Sequence, residues 1–398
     1  MSSNIGPEAQ AAYQKYLDAG SLEEKITRLE EFISLVPKHK STEKIVALNR
    51  SRLAKLKREL EKQTQRLRSA KKVVSPFSIK KEGIQVILVS DYQTPGVGKT
   101  SLLNYLTGAA KDKIGRFTAT PEIGIFEYNK VRFQIVDMPS LMQGAAKGVG
   151  NGREILSQIR ACDLLCICID LARNFKNQML LILRELKDAD IRINTPPPPI
   201  YIEKTGSNKI QVLYITKEAQ NNEKMEELTD KIKEVVSESG IRNAIVKIHG
   251  IIYLEQVVDI LTPSIVYKKV VILGTKGDLP YTVTAYDNLK DQYSSQFPLI
   301  IGTSVKKNNF PVDFGDIILK FLNKIKIYTK DVSGEVAEIP LIINDKSTVS
   351  DVALKIHRSF LELFDYAIVI RKSVRQKRKK VGLDYELQDN DIIEIHTI

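Results

Sequence analysis

The sequence predicts an α/β fold, and three observations predict it. The apolar run Ile84–Val89 reads as a buried strand, Ser101–Leu106 reads as a helix, and Gln93–Thr100 joins them. The apolar runs Leu164–Asp170 and Val270–Leu273 read as further strands of the same sheet. Between them, Pro196–Pro199 marks a boundary after which the alternating pattern is interrupted until about residue 264.

With 398 residues, the chain has room for two to four domains. A hydrophobic fraction of 43% is ample for packed cores. No apolar run is long enough for a membrane-spanning helix, and the N-terminus shows no secretion signal, so a cytoplasmic protein that does not engage a membrane is expected. The three cysteines, Cys162, Cys166 and Cys168, fall in or beside one strand-like run and lack metal or redox spacing. They are expected as buried free thiols. The net charge of +12 suggests a polyanionic partner.

In chain order, residues 1–82 read as an N-terminal helical hairpin domain. Ser21-Leu22-Glu23-Glu24 is a capping box opening a helix to about Leu35, and Ser41–Lys44 starts a longer one. Leu53, Leu56, Leu60 and Leu67 give it an apolar stripe. From Asn49 to Lys72 there are ten Lys or Arg against two Glu, which reads either as a solvated face or as a surface for phosphate backbone.

Residues 83–192 form the first part of the central domain. Strand, loop and helix with Gly98-Lys99-Thr100 at the junction is the setting of a phosphate-binding P-loop. Free N–H groups and the helix dipole favour an anion there. Pro95, Gly96, Val97, Gly98 and Ser101 belong to this site; Lys99 reaches phosphate and Thr100 ligates Mg²⁺. Gln93 stands where the pattern has a glycine, and Gly96 is expected to supply the flexibility instead. Farther on, Thr118 sits in a loop, and the strand Val131–Val136 ends in Asp137. This order suits a threonine that closes on the γ-phosphate and binds Mg²⁺, and a carboxylate that holds the metal shell. Four glycines in the nine residues from Gly144 to Gly152 suggest a segment that changes shape.

Residues 193–264 read as an inserted α+β subdomain, with Tyr201–Lys204 and Ile210–Ile215 as a hairpin about a Gly-Ser-Asn turn. The parent domain resumes over 265–327, where Thr275-Lys276-Gly277-Asp278 closes a strand. A carboxylate here accepts from guanine N1–H and the 2-amino group, which adenine cannot match. The plain alternative is a strand-end turn capped by Asp278. Ser304 and Val305 sit where a backbone N–H reaches the guanine O6. The order of these motifs is that of a guanine-nucleotide-binding domain.

Val36–Glu43, Leu102–Gly108, and Gln143–Gly148 with Gly152-Arg153-Glu154 together resemble the developmentally regulated GTP-binding family of Obg-like GTPases. Ile327–Lys330, Ser347–Val352 and Val381–Asp384 resemble that family's C-terminal TGS domain, a β-grasp module, over residues 328–398. The resemblance implies a GTP/GDP- and Mg²⁺-dependent switch that hydrolyses GTP slowly near the ribosome and has a dedicated protein regulator. Potassium is a further cofactor to be tested. The Obg-like spacing Thr-x-x-Pro selects Thr118, with Pro121, as the switch threonine. Ser140 stands where the family pattern Asp-x-x-Gly has the glycine that senses the γ-phosphate. Leu141 follows where Ras-like proteins keep a glutamine, so no side chain is assigned as catalytic base. Arg371, Lys372, Arg375, Lys377, Arg378, Lys379 and Lys380 make seven of ten residues basic. A solvated loop is one reading; contact with RNA is favoured, since such charges repel unless an anion neutralises them. The competing function is a non-enzymatic nucleotide-sensing or RNA-binding scaffold with a weakened switch.

Overall fold

The computed structural model describes residues 7–19, 22–37, 42–69, 75–108, 119–205, 209–220, 225–330, 334–371 and 377–397. Its contacts divide the chain into two units, residues 1–75 and 76–398.

The first unit holds three helices, Pro7–Asp18, Leu22–Leu35 and Glu43–Ser69, rather than the expected hairpin. The extra helix is poor in large apolar residues. It packs through Ala9 and Ala12 against Leu29, Phe32 and Val36, so its periodicity is faint in the sequence. Residues 76–82, expected with this unit, belong to the second, where Phe77 is buried in a core under the central sheet.

In the second unit the strands, in chain order, are β1 Ile84–Val89, β2 Glu122–Tyr128, β3 Val131–Asp137, β4 Leu164–Asp170, β5 Ile191–Ile193, β6 Ile200–Lys204, β7 Ile210–Tyr214, β8 Ala244–Ile248, β9 Val266–Thr275, β10 Ile300–Gly302, β11 Lys324–Thr329, β12 Leu341–Asn344, β13 Phe364–Arg371, β14 Lys377–Val381 and β15 Ile392–Thr397. The central sheet runs β10-β9-β4-β1-β3-β2, with β5 also on β9, and only β2 is antiparallel to its neighbour. Its inner strands are buried along both faces, which is why β1 and β4 read as continuous apolar runs. Parallel strands place all their C-terminal ends on one edge, so the loops after β1, β3, β4, β9 and β10 converge there. The three cysteines are buried and free. Burial pushes the Cys162 and Cys168 thiols up to about 12, so neither is a thiolate near neutrality.

The inserted subdomain holds a three-stranded sheet in the order β6-β8-β7, with Ile232, Val236, Val246 and Ile248 in its core. The expected hairpin is therefore wrong. β8 lies between the two segments, antiparallel to β6 and parallel to β7. Its alternating burial, with Ala244, Val246 and Ile248 inward, suits the central place, while β6 and β7 are half exposed.

The C-terminal sheet runs β12-β11-β15-β13-β14 around Ile325, Ile327, Val349, Val352 and Val369. β11 pairs with both β12 and β15, so this module starts at Lys324, ahead of the expected boundary at 328. Among the described residues, no helix is long and apolar enough to cross a membrane.

Candidate nucleotide-binding site

Gly96, Val97, Gly98, Ser101, Thr275, Lys276, Asp278 and Val305 line a groove of about 550 Å³ at the C-terminal edge of the central sheet. The helix Lys99–Thr107 begins at this groove with Gly98 as its N-cap, at φ 105°, and no side chain caps its first turn. Its leading N–H groups therefore remain for an anion. A cavity of about 930 Å³ lies elsewhere, lined by prolines 196–197, Leu299 and Phe321. Its Lys268 and Lys269 donate to the carbonyls of Cys162 and Phe321, and it carries none of the phosphate or base chemistry.

The loop from Ser90 to Gly98 is shaped by residues that the motif does not name. Asp91 is buried and accepts from the Thr94 hydroxyl at 3.0 Å, closing a local turn, and burial pushes its carboxyl above the ordinary range. Leu141 N–H donates to the Ser90 carbonyl and Tyr92 N–H to the Leu141 carbonyl, extending the β1–β3 pairing. Gln93 is not among the residues with positive φ, whereas Gly96 and Gly98 are. The departure at Gln93 thus strains no backbone, because the left-handed turns fall at the glycines the loop retains.

Lys99 is buried, and its ammonium donates to the Ser90 hydroxyl at 2.7 Å and the Ser140 hydroxyl at 3.0 Å. Ser140 therefore contributes a side chain where a glycine would offer only its peptide. Replacing it, Ser140→Gly, frees that peptide and removes one competitor for the ammonium, while Ser90 still holds Lys99. The expected result is a several-fold rise in preference for GTP over GDP, read by titration calorimetry. An unchanged ratio would mean that the serine peptide already performs the sensing.

Thr100 donates its hydroxyl to Asp137 at 2.6 Å, and Asp137 is fully buried at the end of β3. Two hard oxygen donors side by side at the first turn of the phosphate helix fit Mg²⁺. Thr118 lies outside the described residues. Pro95 belongs to the Ser90–Gly98 loop.

At the other end of the groove, the Thr275 hydroxyl contacts the carbonyls of Val97, at 2.6 Å, and Ile169, at 3.1 Å, tying the phosphate loop to β4. Asp278 accepts from the Ser304 hydroxyl at 2.8 Å. That donation is the main reason its carboxyl lies below the ordinary value, so it is ionised at neutral pH. The Ser304 N–H donates to the Asn309 carbonyl, which removes it as a guanine O6 donor. No backbone carbonyl among the described residues takes the Val305 N–H in the same way. Lys276 pairs with Asp170 at 2.7 Å, and Asp170 is fully buried at the end of β4. Sequence reasoning misses Asp170 as part of the site, although it ends an apolar strand as Asp137 does.

The glycine-rich segment after Ser140 has local reasons for its composition. Gly144, Gly148 and Gly150 have positive φ. A Cβ at Gly152 would collide with the Ala145 carbonyl oxygen. The Gly144 and Ala146 N–H groups donate to the buried Glu185 carboxylate at 2.7 and 2.9 Å, from the helix Phe175–Asp188. Leu141 is buried at the core side of this segment and presents nothing to orient water. Glu185→Ala should cost roughly 1–3 kcal/mol of stability by leaving two part-buried donors without their carboxylate. A denaturation midpoint equal to wild type would show that the segment is held by packing alone.

In the basic C-terminal stretch, Arg371 grips the buried Asp391 through two bonds at 2.8 and 2.7 Å. It is a structural ion pair rather than the expected RNA contact, since a buried carboxylate requires a counter-charge. Lys372 and Arg375 lie outside the described residues. Lys377, Arg378, Lys379 and Lys380 form the edge strand β14, with Lys380 3.5 Å from the Tyr366 ring and Lys379 4.7 Å from that of Tyr385.

A helix start without a side-chain cap, a Thr100–Asp137 hydroxyl–carboxylate pair and the ionised Asp278 lie at one sheet edge, the arrangement that guanine-nucleotide binding requires. Residues 94–204 match the family model described as a 50S ribosome-binding GTPase, and residues 325–397 match the TGS domain. An uncharacterised GTP-binding protein of Methanocaldococcus jannaschii is 31% identical, with 95% of this chain and 93% of that protein covered. A developmentally regulated GTP-binding protein of Xenopus laevis is 27% identical, with 93% and 98% covered. A developmentally regulated G-protein of Arabidopsis thaliana is 25% identical, with 94% and 98% covered. The chain belongs to the developmentally regulated GTP-binding family and carries a TGS domain.

Proposed function

We propose that the protein is a cytoplasmic GTPase switch, hydrolysing GTP to GDP and phosphate slowly, and that it works on ribosomes or structured RNA with a protein regulator. The observation that carries the nucleotide reading is the Asp278–Ser304 pair facing the Gly98–Thr100 helix start across one groove. In this reading Lys99 and the leading N–H groups bind phosphate, Asp278 orients guanine, and Thr100, Asp137 and Thr118 hold Mg²⁺. The metal would neutralise charge on the phosphates. Single-turnover GTP hydrolysis with and without ribosomes tests the proposal. Stimulation by ribosomes supports it, and no turnover under either condition refutes the enzymatic part.

One observation favours the second reading, a nucleotide-sensing scaffold without catalysis. Leu141 is buried, so the position that orients water in Ras-like proteins offers no polar group. Tight guanine-nucleotide binding with no turnover on ribosomes would select that reading.

The polyanion partner rests on charge placement. Arg50, Arg52, Lys55, Lys57 and Arg58 are exposed on the third helix, and Arg378, Lys379 and Lys380 on β14. Neutralising either group should weaken binding to ribosomes or structured RNA. It should also flatten the salt dependence, by roughly one unit of log–log slope for each phosphate that is no longer neutralised. Binding of unchanged strength and slope after both changes would assign these charges to solubility.

A further inference from the structure

A cavity of about 770 Å³ opens between the central and C-terminal modules, beside Ile84 and Val131. Lys80, Lys81, Lys130, Arg132, Lys324 and Lys355 line it, against only Glu82 and Asp163. Asp163 is already paired with Lys81 at 2.8 Å. Lys130 and Arg132 reach Glu338 and Glu127 only at 3.8 and 3.9 Å, in exposed pairs of little strength. Lys324 donates to the Asn344 side-chain oxygen and Lys355 to the Ile342 carbonyl, both neutral acceptors, and of the cavity's carboxylates only Asp163, already paired with Lys81, acts on Lys355. Burial, then Lys324, pushes the Lys355 amine below its ordinary value. The volume suits a small ligand.

We propose that this cavity binds a compact oligophosphate anion, held by lysines and an arginine that converge on it from both modules. The site is separate from the nucleotide groove. Ile84 and Val131 begin β1 and β3, whereas the phosphate loop and Asp137 lie at the other ends of those strands. The length of β1 puts the two sites about 20 Å apart. The cations converge from the chain before β1, the β2–β3 turn and the start of β3, the start of β11 and the helix Val349–Ile356. That enclosure fits a compact anion better than a nucleic-acid backbone, which needs an extended basic track. Occupancy would relieve repulsion across the boundary and join the two modules.

The test is calorimetric titration of the full chain with sodium tripolyphosphate, after saturation with GDP at fixed free Mg²⁺ so that the phosphate loop is filled. One saturable site per chain is expected, with a rise of several degrees in the melting temperature. The double variant Lys130→Gln/Arg132→Gln should lose about tenfold in affinity and most of the thermal shift. Lys187→Gln/Lys204→Gln removes the same charge from exposed positions elsewhere and should lose neither. Should the double variant fold poorly, Lys80→Gln, exposed and outside any strand, serves the same comparison with about a threefold loss expected. No saturable site, or equal losses in the cavity and control variants, would overturn the proposal. So would single-stranded RNA that binds there without competition from tripolyphosphate.

Discussion

Lys99→Ala is expected to lower affinity for both GTP and GDP by roughly a hundredfold, about 3 kcal/mol, the scale of charge-assisted hydrogen bonds lost from a buried ammonium. The substitution should leave the fold in place. Ser90 and Ser140, which share the ammonium, are 3.0 Å apart and keep each other as partners. The loss is therefore a loss of binding, visible by titration calorimetry on a variant whose melting temperature stays close to wild type. Equal nucleotide affinity in the two proteins would remove Lys99 from the phosphate site and leave its buried charge without a purpose.

Asp278→Asn is expected to move base preference from guanine toward xanthine. The carboxylate presents acceptors only and meets two donors of guanine; asparagine presents one acceptor and one donor. Against guanine the new amide faces the 2-amino group, donor to donor, at a cost on the order of 1–3 kcal/mol, or roughly ten- to a hundredfold. Xanthine carries a carbonyl at that position and is complementary. The Ser304 hydroxyl can still donate to the amide oxygen, so the loop geometry is retained. Ser304 also holds the wild-type carboxyl below its ordinary value, so guanine selectivity should persist on mild acidification toward that value. Competition among GTP, XTP and ATP decides the matter. A variant that keeps the wild-type GTP/XTP ratio would reduce Asp278 to a strand-end cap.

What the sequence reveals of this site is its local chemistry. Gly98-Lys99-Thr100, Asp137, Thr275 and Asp278 are legible because a parallel sheet fixes where strand ends go, and each residue sits at one. Ser90, Asp91, Asp170 and Glu185 are not legible, because their roles depend on partners that only folding brings near. Glu185 meets Gly144 across 41 residues, and Asp170 meets Lys276 across 106. Gln93 reads as damage because the motif is written in residue types, whereas the loop requires particular φ values and finds them at Gly96 and Gly98. Arg371 reads as one charge among seven, because its carboxylate stands 20 residues later in the chain and only the fold sets the two side by side. The hairpin at β6 and β7 fails for a related reason. Turn residues announce a reversal of direction, but not which strand fills the space between.

That strand order also sets a sequence of events. The middle strand of the inserted sheet is the last one made, and β6 and β7 have no ladder partner in that sheet until Ala244–Ile248 exists. During synthesis, at about 5–20 residues per second, both segments wait for seconds with their backbone groups open. The wait falls on strands whose exposed residues are mixed, Glu203, Lys204 and Gln211 beside Tyr201 and Leu213, so the charged positions offset part of the tendency to join a neighbour. The inserted subdomain can close only after the helix Met225–Glu238, which separates β7 from β8, has already been made.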